Sequence, residues 1–449
     1  MASSYLTRSV SSTGNRRTWT FSAWVKRSNV TQQYQNIMAM GSNNIRINFS
    51  NQNIWVYDYN GSGFDFYLVT NRVFRDTSAW YHIVVQVDTT QATSSNRVKL
   101  YVNGVQETSF STETYPNQNH DTEANTSGQN NVIGTDSGNL GSNSFDGYIS
   151  HIALVDGSVV APTVFGQTDS TSGIWKFKSP TGVTWGTNGF HLKFENSGAL
   201  GTDSSGNTNT FTVNGNLKQS IDTPSIVYAT LNPLNSVGTG NNPTYSLANT
   251  KVISSSNQYF GGSGNMGVTT GKWYMEVKVE AQSSGLQGVI GMSTNIFEEA
   301  RQNRHFGQLT TNPSAGYYAS NGNKVVDGGT DASYGNTYTA GDIIGIAIDL
   351  DNNKLYFHKN GTYQNSGVPT SGSTGTGAIS LTATDREWFL SLGDAGSSTT
   401  ATYLCNFGDG FFGTTAIASA GSNGNGSLFE YDVPSGYYAL NTKNLNTYG

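Results

Sequence analysis

Trp55, Tyr57 and Tyr59 alternate along the chain just before Asn60-Gly61, and Tyr317 and Tyr318 precede Asn321-Gly322. Aromatic faces stack on sugar rings, while amides and hydroxyls read ring hydroxyls. These five residues form the candidate ligand-binding set, with packing inside a sheet or against a neighbouring subunit as the competing use of the same rings. A second chemistry would need clustered oxygens. Asp203-Ser204-Ser205-Gly206-Asn207 and Asp349-Leu350-Asp351-Asn352 offer them, and calcium takes such oxygen ligands. Asp203 and Asn207 are the candidate metal pair, against a plain Asx turn.

Acid–base chemistry is poorly supplied. A retaining glycoside hydrolase needs two carboxylates about 5 Å apart. No Glu-x-Asp-x-x-Glu pattern occurs. Glu276 and Glu280 share a strand face but stand roughly 13 Å apart at strand rise, and both read as exposed charges. Glu298-Glu299 reads as a solvated turn. The six histidines (His82, His120, His151, His191, His305 and His358) show no metal-ligand spacing. His82 and His358 fall within strand patterns and read as satisfied face or rim positions. Cys405 is the single cysteine, which excludes an intramolecular disulfide and a cysteine zinc site; it reads as a small buried hydrophobe. Neither a nucleophile elbow nor a Walker loop is present. The sequence predicts a binding protein rather than an enzyme, with no cofactor beyond calcium at the rim. A close pair of buried acids in either half would contradict it.

The elements that must position these residues are strands. Charged residues make up 12% of the 449, aromatic residues another 12%, and there are 53 Gly. Such a composition suits short, turn-rich strands and disfavours long helices. Period-two alternation dominates. Trp19, Phe21, Ala23 and Val25 share one face, with Thr18, Thr20 and Ser22 opposite. Tyr81, Ile83, Val85 and Val87 repeat the pattern, and Val98, Leu100 and Val102 lead into Asn103-Gly104, a hairpin signal. The second half repeats this grammar. Trp273, Met275, Val277 and Val279 oppose Tyr274, Glu276, Lys278 and Glu280. Ile344, Ile346, Ile348 and Leu350 follow, then strand Lys354 to Lys359 and Asn360-Gly361. The expected fold is all-β: two antiparallel β-sandwiches and a short C-terminal segment, divided at 1–222, 223–410 and 411–449. Gly157 to Pro180 reads as a connection, and Asn295 to Arg304 as the one helical turn.

Net charge is −6, with no basic stripe, so binding through phosphate neutralisation is not expected. Met1 to Ser12 lacks an apolar core of a secretory signal. The longest apolar run, Ile343 to Ile348, is too short to span a bilayer.

Several phrases resemble known families. Phe21-Ser22-Ala23-Trp24-Val25-Lys26, Trp80-Tyr81-His82-Ile83, Lys99 to Gly104 and Phe145 to Ile149 make residues 1 to 160 similar to a concanavalin A-like, laminin-G-type jelly roll. Gly271 to Val277, Gly288 to Gly291, Gly341 to Gly345 and Leu355 to Gly361 make residues 241 to 410 resemble a SPRY domain. Val164 to Thr168, Gly173 to Lys176 and Pro434 to Thr442 resemble phrases of tailed-phage structural proteins, notably those of marine phages. This combination implies a virion surface protein, assembled in the host cytoplasm, of tail-fibre or adhesin type. Its implied partners are host surface polysaccharide and other virion proteins, without nucleic acid or membrane insertion. The implied alternatives are a capsid decoration or head-fibre protein, and a glycan depolymerase. A homotrimer is the expected assembly. No heptad shaft or collagen-like repeat is present, which favours a compact knob over a long fibre.

Overall fold

The computed structural model describes residues 4–41, 44–238, 243–254, 260–283, 288–295, 307, 310–394 and 400–449. Two compact units emerge, one of Met1–Gln219 with Thr223–Ser225, the other of Ser220–Asp222 with Ile226–Gly449. Each is a sandwich of antiparallel sheets.

In the first unit the larger sheet has eight strands, in the order Phe110–Thr114, Phe64–Thr70, Asn53–Tyr59, Ile45–Ser50, Gln35–Met40, Asn130–Ile133, Tyr5–Ser9 and Thr212–Asn214. The facing sheet has six, in the order Phe190–Leu192, Gly147–Asp156, Thr18–Arg27, Trp80–Asp88, Val98–Val102 and Val105–Gln106. Alternation sends one side of each strand into the space between them. Trp19, Phe21, Ala23 and Val25 meet Ile45, Ile47, Ile54, Val56, Phe66 and Leu68 there. Each large side chain removed from water contributes about 1.5–3 kcal/mol.

The second unit repeats the plan. Its seven-stranded sheet centres on Phe389–Asp394 and Gly288–Ser293. Its nine-stranded sheet runs through Ala401–Asn406, Lys272–Gln282, Ile343–Asp349 and Lys354–Lys359. Trp273, Met275, Val277, Ile344, Ile346 and Ile348 fill the space between. One turn device recurs in both units. Asn103 and Gly104 take φ of 50° and 77°, and Asn360 and Gly361 take 48° and 83°. Those left-handed values are what a two-residue hairpin turn requires. The Asn side chains then accept backbone N–H groups, from His82 at 2.8 Å and from Ile343 at 2.8 Å.

Two expectations are corrected, for the connection and for the tail. Thr20 and Ser22, on the face opposite Trp19 and Phe21, are fully buried. Gly157 to Pro180 is no connection: it lies over them. Thr20 Oγ1 donates to Ser158 O at 3.0 Å and accepts Val160 N–H at 3.1 Å. Gln86 Nε2 donates to Val160 O at 2.7 Å. Phe165 packs on Ala153 and Val155, and a small hairpin of Gly166–Thr168 with Trp175–Phe177 follows. The segment 411–449 likewise belongs to the second unit. Phe429, Val433, Tyr437 and Ala439 pack on Tyr274, Ala347 and Tyr356. Among the described residues the α-helix is Thr442–Tyr448, capped by Asn441, whose side chain accepts Asn444 N–H. The turn expected at Asn295 to Arg304 lies, beyond Asn295, outside the described residues.

Candidate functional site

Strand Asn53–Tyr59 sends Ile54, Val56 and Asp58 inward, each 0% exposed. Trp55, Tyr57 and Tyr59 therefore point outward. The neighbouring strand sets Tyr67 opposite Tyr57 and Phe64 opposite Tyr59. A continuous patch of rings results. Tyr34 meets Trp55 at 5.7 Å between centroids, and Trp55 meets Tyr67 at 5.5 Å, both edge to face. Phe64 stacks on Tyr67 at 4.4 Å and touches Tyr57 and Tyr59 at 5.3 Å each. Tyr59 is 37% exposed and Phe64 46%, whereas Tyr57 is 9%. Trp55, Tyr34 and Tyr67 are half-buried. Tyr59 and Phe64 are thus the presented rings and the other four their backing. Arg46 lies opposite Tyr57 in the next strand and pairs with Asp136 at 2.8 Å. Burial pushes the Tyr67 hydroxyl up to about 12, so that ring stays a phenol.

The other candidate aromatics do not join it. Tyr317 is fully buried among Tyr334, Tyr338 and Phe357. Tyr318, on the opposite face of the same strand, packs on Val289 and Val325. Strand Ser314–Tyr318 is buried at every residue, so both of its faces are covered. These two residues are withdrawn from the ligand-binding set.

The calcium candidates close on themselves. Asp203 Oδ1 accepts from His191 N and Ser205 N at 2.9 and 2.8 Å. Its Oδ2 accepts from Ser205 Oγ and Asn209 N at 2.8 Å each. Asn207 turns its amide N–H groups to Gly186 O and Gly189 O. This is an Asx-type turn with its carboxylate saturated, and the pair is withdrawn as a metal site. Asp349 is used in the same way, by Asn352 and by Lys272 at 3.0 Å.

Two buried acids escaped the sequence reading. Glu276 is 0% exposed, not the surface charge expected. Its carboxylate accepts Glu430 N–H and Tyr431 N–H at 2.9 Å each, and the Tyr274 hydroxyl at 3.0 Å. Gly361 N–H donates to His358 Nδ1 at 3.1 Å, which assigns the ring proton to Nε2. Nε2–H then donates to Tyr274 Oη at 2.6 Å. Burial raises the Glu276 carboxyl to about 7, against the pull of those bonds, and lowers His358 to about 3. A cleft of about 390 Å³ lined by His358, Tyr363, Glu430 and Tyr431 adjoins this chain of bonds. Asp58 and Asp65 form the second surprise, with carboxylate oxygens within 4.8 Å. That spacing is near that of a retaining hydrolase. Asp58, however, has no exposed surface, and Asp65 is partly exposed.

With that geometry in place, comparison with known proteins is direct. A model of the concanavalin A-like lectin/glucanases superfamily matches residues 2–165, and a SPRY-domain model matches residues 272–380. The chain joins a concanavalin A-like domain to a SPRY domain. Ran-binding protein 9 of Homo sapiens is 35% identical over 91 residues, which is 20% of this chain and 12% of that protein. The Ran-binding proteins 9/10 homolog of Drosophila melanogaster is 34% identical over 91 residues, 20% of this chain and 9% of its own length. The matched stretch is thus a small part of these relatives. Among solved structures, the SPRY domain of human HERC1 covers 39% of this chain and 96% of its own at 18% identity, with a TM-score of 0.28.

Proposed function

We propose that this chain is a non-catalytic binding protein on the surface of a tailed-phage particle, and that the concanavalin A-like unit meets a host polysaccharide. The observation that carries the binding reading is the exposed pair Tyr59 and Phe64, backed by the half-buried rings of Tyr34, Trp55 and Tyr67 and the buried ring of Tyr57. Presenting large apolar rings to water is unfavourable unless a partner covers them. Sugar rings offer apolar C–H faces of matching width, and the polar rim of Asn60, Ser62 and Asp65 offers hydrogen bonds to hydroxyls. The particle assignment rests on the phage-like phrases Val164 to Thr168, Gly173 to Lys176 and Pro434 to Thr442. Weak single sites on a homotrimer gain strength through many copies.

A second reading concerns the SPRY unit. Relatives that match a 91-residue stretch of the chain are named Ran-binding proteins; by analogy we assign this unit the contact with other virion proteins. In that reading the chain serves as a capsid decoration or head-fibre protein.

Full-length protein screened on host polysaccharides, for binding and for reducing-end release, tests the first reading. Binding without release supports it, whereas release of ends makes the protein a depolymerase. Particles lacking the protein separate the two positions. A failure to adsorb supports the adhesin. Normal adsorption with loss of DNA on osmotic shock supports capsid decoration.

A further inference from the structure

Asp58 stands where the alternation of its strand calls for an apolar residue. Ile54 and Val56 precede it on the inner face and belong to the core. The register of the hairpin shifts here: Asp58 lies opposite Phe66, but Tyr59 lies opposite Phe64. Asp65 is the extra residue of this bulge, which re-aims its side chain toward Asp58. His120 enters from the loop after Phe110–Thr114. That loop is pinned by Asn119 N–H to Thr89 O at 2.8 Å and by Thr89 Oγ1 to His120 O at 2.7 Å. His120 Nε2 comes within 3.8 Å of Asp58 Oδ2 and 3.7 Å of Asp65 Oδ2. One donor atom from each residue lies within 4.8 Å of the other two.

Bonds inside the protein leave this cluster open. Asp58 Oδ2 accepts Glu123 N–H at 3.2 Å, and Asp65 Oδ1 accepts Asn60 Nδ2–H at 3.0 Å. Asp58 Oδ1 and His120 Nε2 are buried and have no hydrogen-bond partner. A fully buried carboxylate with an orphaned oxygen is costly unless a cation meets it. The imidazole nitrogen is beyond hydrogen-bonding reach of both acids. Two ligands at about 2.0–2.1 Å from one tetrahedral ion stand roughly 3.4 Å apart, so His120, at 3.8 and 3.7 Å from the two acids, needs to close by only a few tenths of an ångström, and the acid oxygens, within 4.8 Å of each other, by no more than about 1.4 Å.

We propose that Asp58, Asp65 and His120 bind one divalent transition-metal ion of the zinc class. An imidazole nitrogen among three donors favours such an ion over calcium or magnesium, which take oxygen. Three protein donors leave a position for water. The ion fastens the His120 loop to the hairpin that presents Tyr59 and Phe64. The site stands on its own donors and does not depend on a glycan being the ligand.

The test uses the full chain, stripped with a chelator and titrated by calorimetry with Zn²⁺, Mn²⁺ and Ca²⁺. One Zn²⁺ per chain is expected, with a raised melting temperature and much weaker Ca²⁺ uptake. Asp65→Asn and His120→Gln, both at partly exposed positions, each weaken Zn²⁺ binding at least about tenfold. Asp121→Asn, which alters a surface carboxylate paired with Arg17, binds as the unsubstituted chain does. Circular dichroism checks that each variant is folded, and visible bands of bound Co²⁺ vanish in His120→Gln. Absence of stoichiometric Zn²⁺ uptake overturns the proposal, as does undiminished uptake by both folded variants. The cluster is then an ion pair of protonated His120 with two acids.

Discussion

Glu276 shows how one buried residue couples the second unit to pH. Its folded-state carboxyl is raised to about 7 from an ordinary 4.5, first by burial. An acid raised on folding lends stability below its unfolded value, and that stability is lost as pH rises through the folded value. The window here is about pH 4.5 to 7. Across it the wild-type second unit should lose up to about 3 kcal/mol relative to Glu276→Gln. Melting temperatures of both proteins at pH 5 and pH 8 check this; parallel pH profiles would refute it. Little of this was legible in the sequence. Glu276 sits among polar residues on the face opposite Trp273, Met275 and Val277, which is the pattern of a solvated face. Only residues about 150 positions later, Glu430 and Tyr431, bury it. Tyr317 misled in the same way. Asn321-Gly322 suggested an exposed turn nearby, while the burial of its ring depends on Tyr334, Tyr338 and Phe357 from elsewhere in the chain. Trp55, Tyr57 and Tyr59 were legible because alternation alone settles their face.

At the scale of elements, both units use one device. The central strand of a sheet, Thr18–Arg27 or Lys272–Gln282, faces the core on one side and is roofed by a late segment on the other. Alternation revealed the strands and their core faces, since that signal is local. The roofs read as a connection and a tail because the first is rich in Gly, Ser, Thr and Pro, the second in Gly and aromatics, and their partners are distant. In the first unit Trp175 is the fastening. Its Nε1–H donates to His82 Nδ1 at 3.1 Å, and His82 stacks between Trp24 and Trp175. Trp175→Ala therefore leaves a buried acceptor unpaired and opens the roof. A loss of about 2–4 kcal/mol is expected in denaturant unfolding, and a change under 1 kcal/mol would show the roof to be ornamental. In the second unit, deleting 411–449 strips Tyr274, Ala347 and Tyr356 of their cover and takes the backbone donors from Glu276. The truncated chain should lose the thermal transition of that unit while the first unit still melts cooperatively. Retention of both transitions would contradict this assignment.

For the whole molecule, two sandwiches have separate cores, and the proposed function divides the work between them: rings offered to a sugar by one, protein contact by the other. The all-β plan and both families were visible in the sequence, because strand periodicity and short motifs carry them. The hairpin bulge that gathers Asp58 and Asp65 was not, since one inserted residue leaves no periodic trace. The account turns on the outer face at Tyr59 and Phe64. The most direct measurement is retention of full-length protein on immobilised host polysaccharide, wild type against Tyr59→Ala/Phe64→Ala. Both side chains are partly solvent-exposed, so the double variant should stay folded. The account predicts at least a tenfold loss of binding, about 1.4 kcal/mol or more, with no reducing ends released by either protein. Undiminished retention of the folded double variant would contradict it.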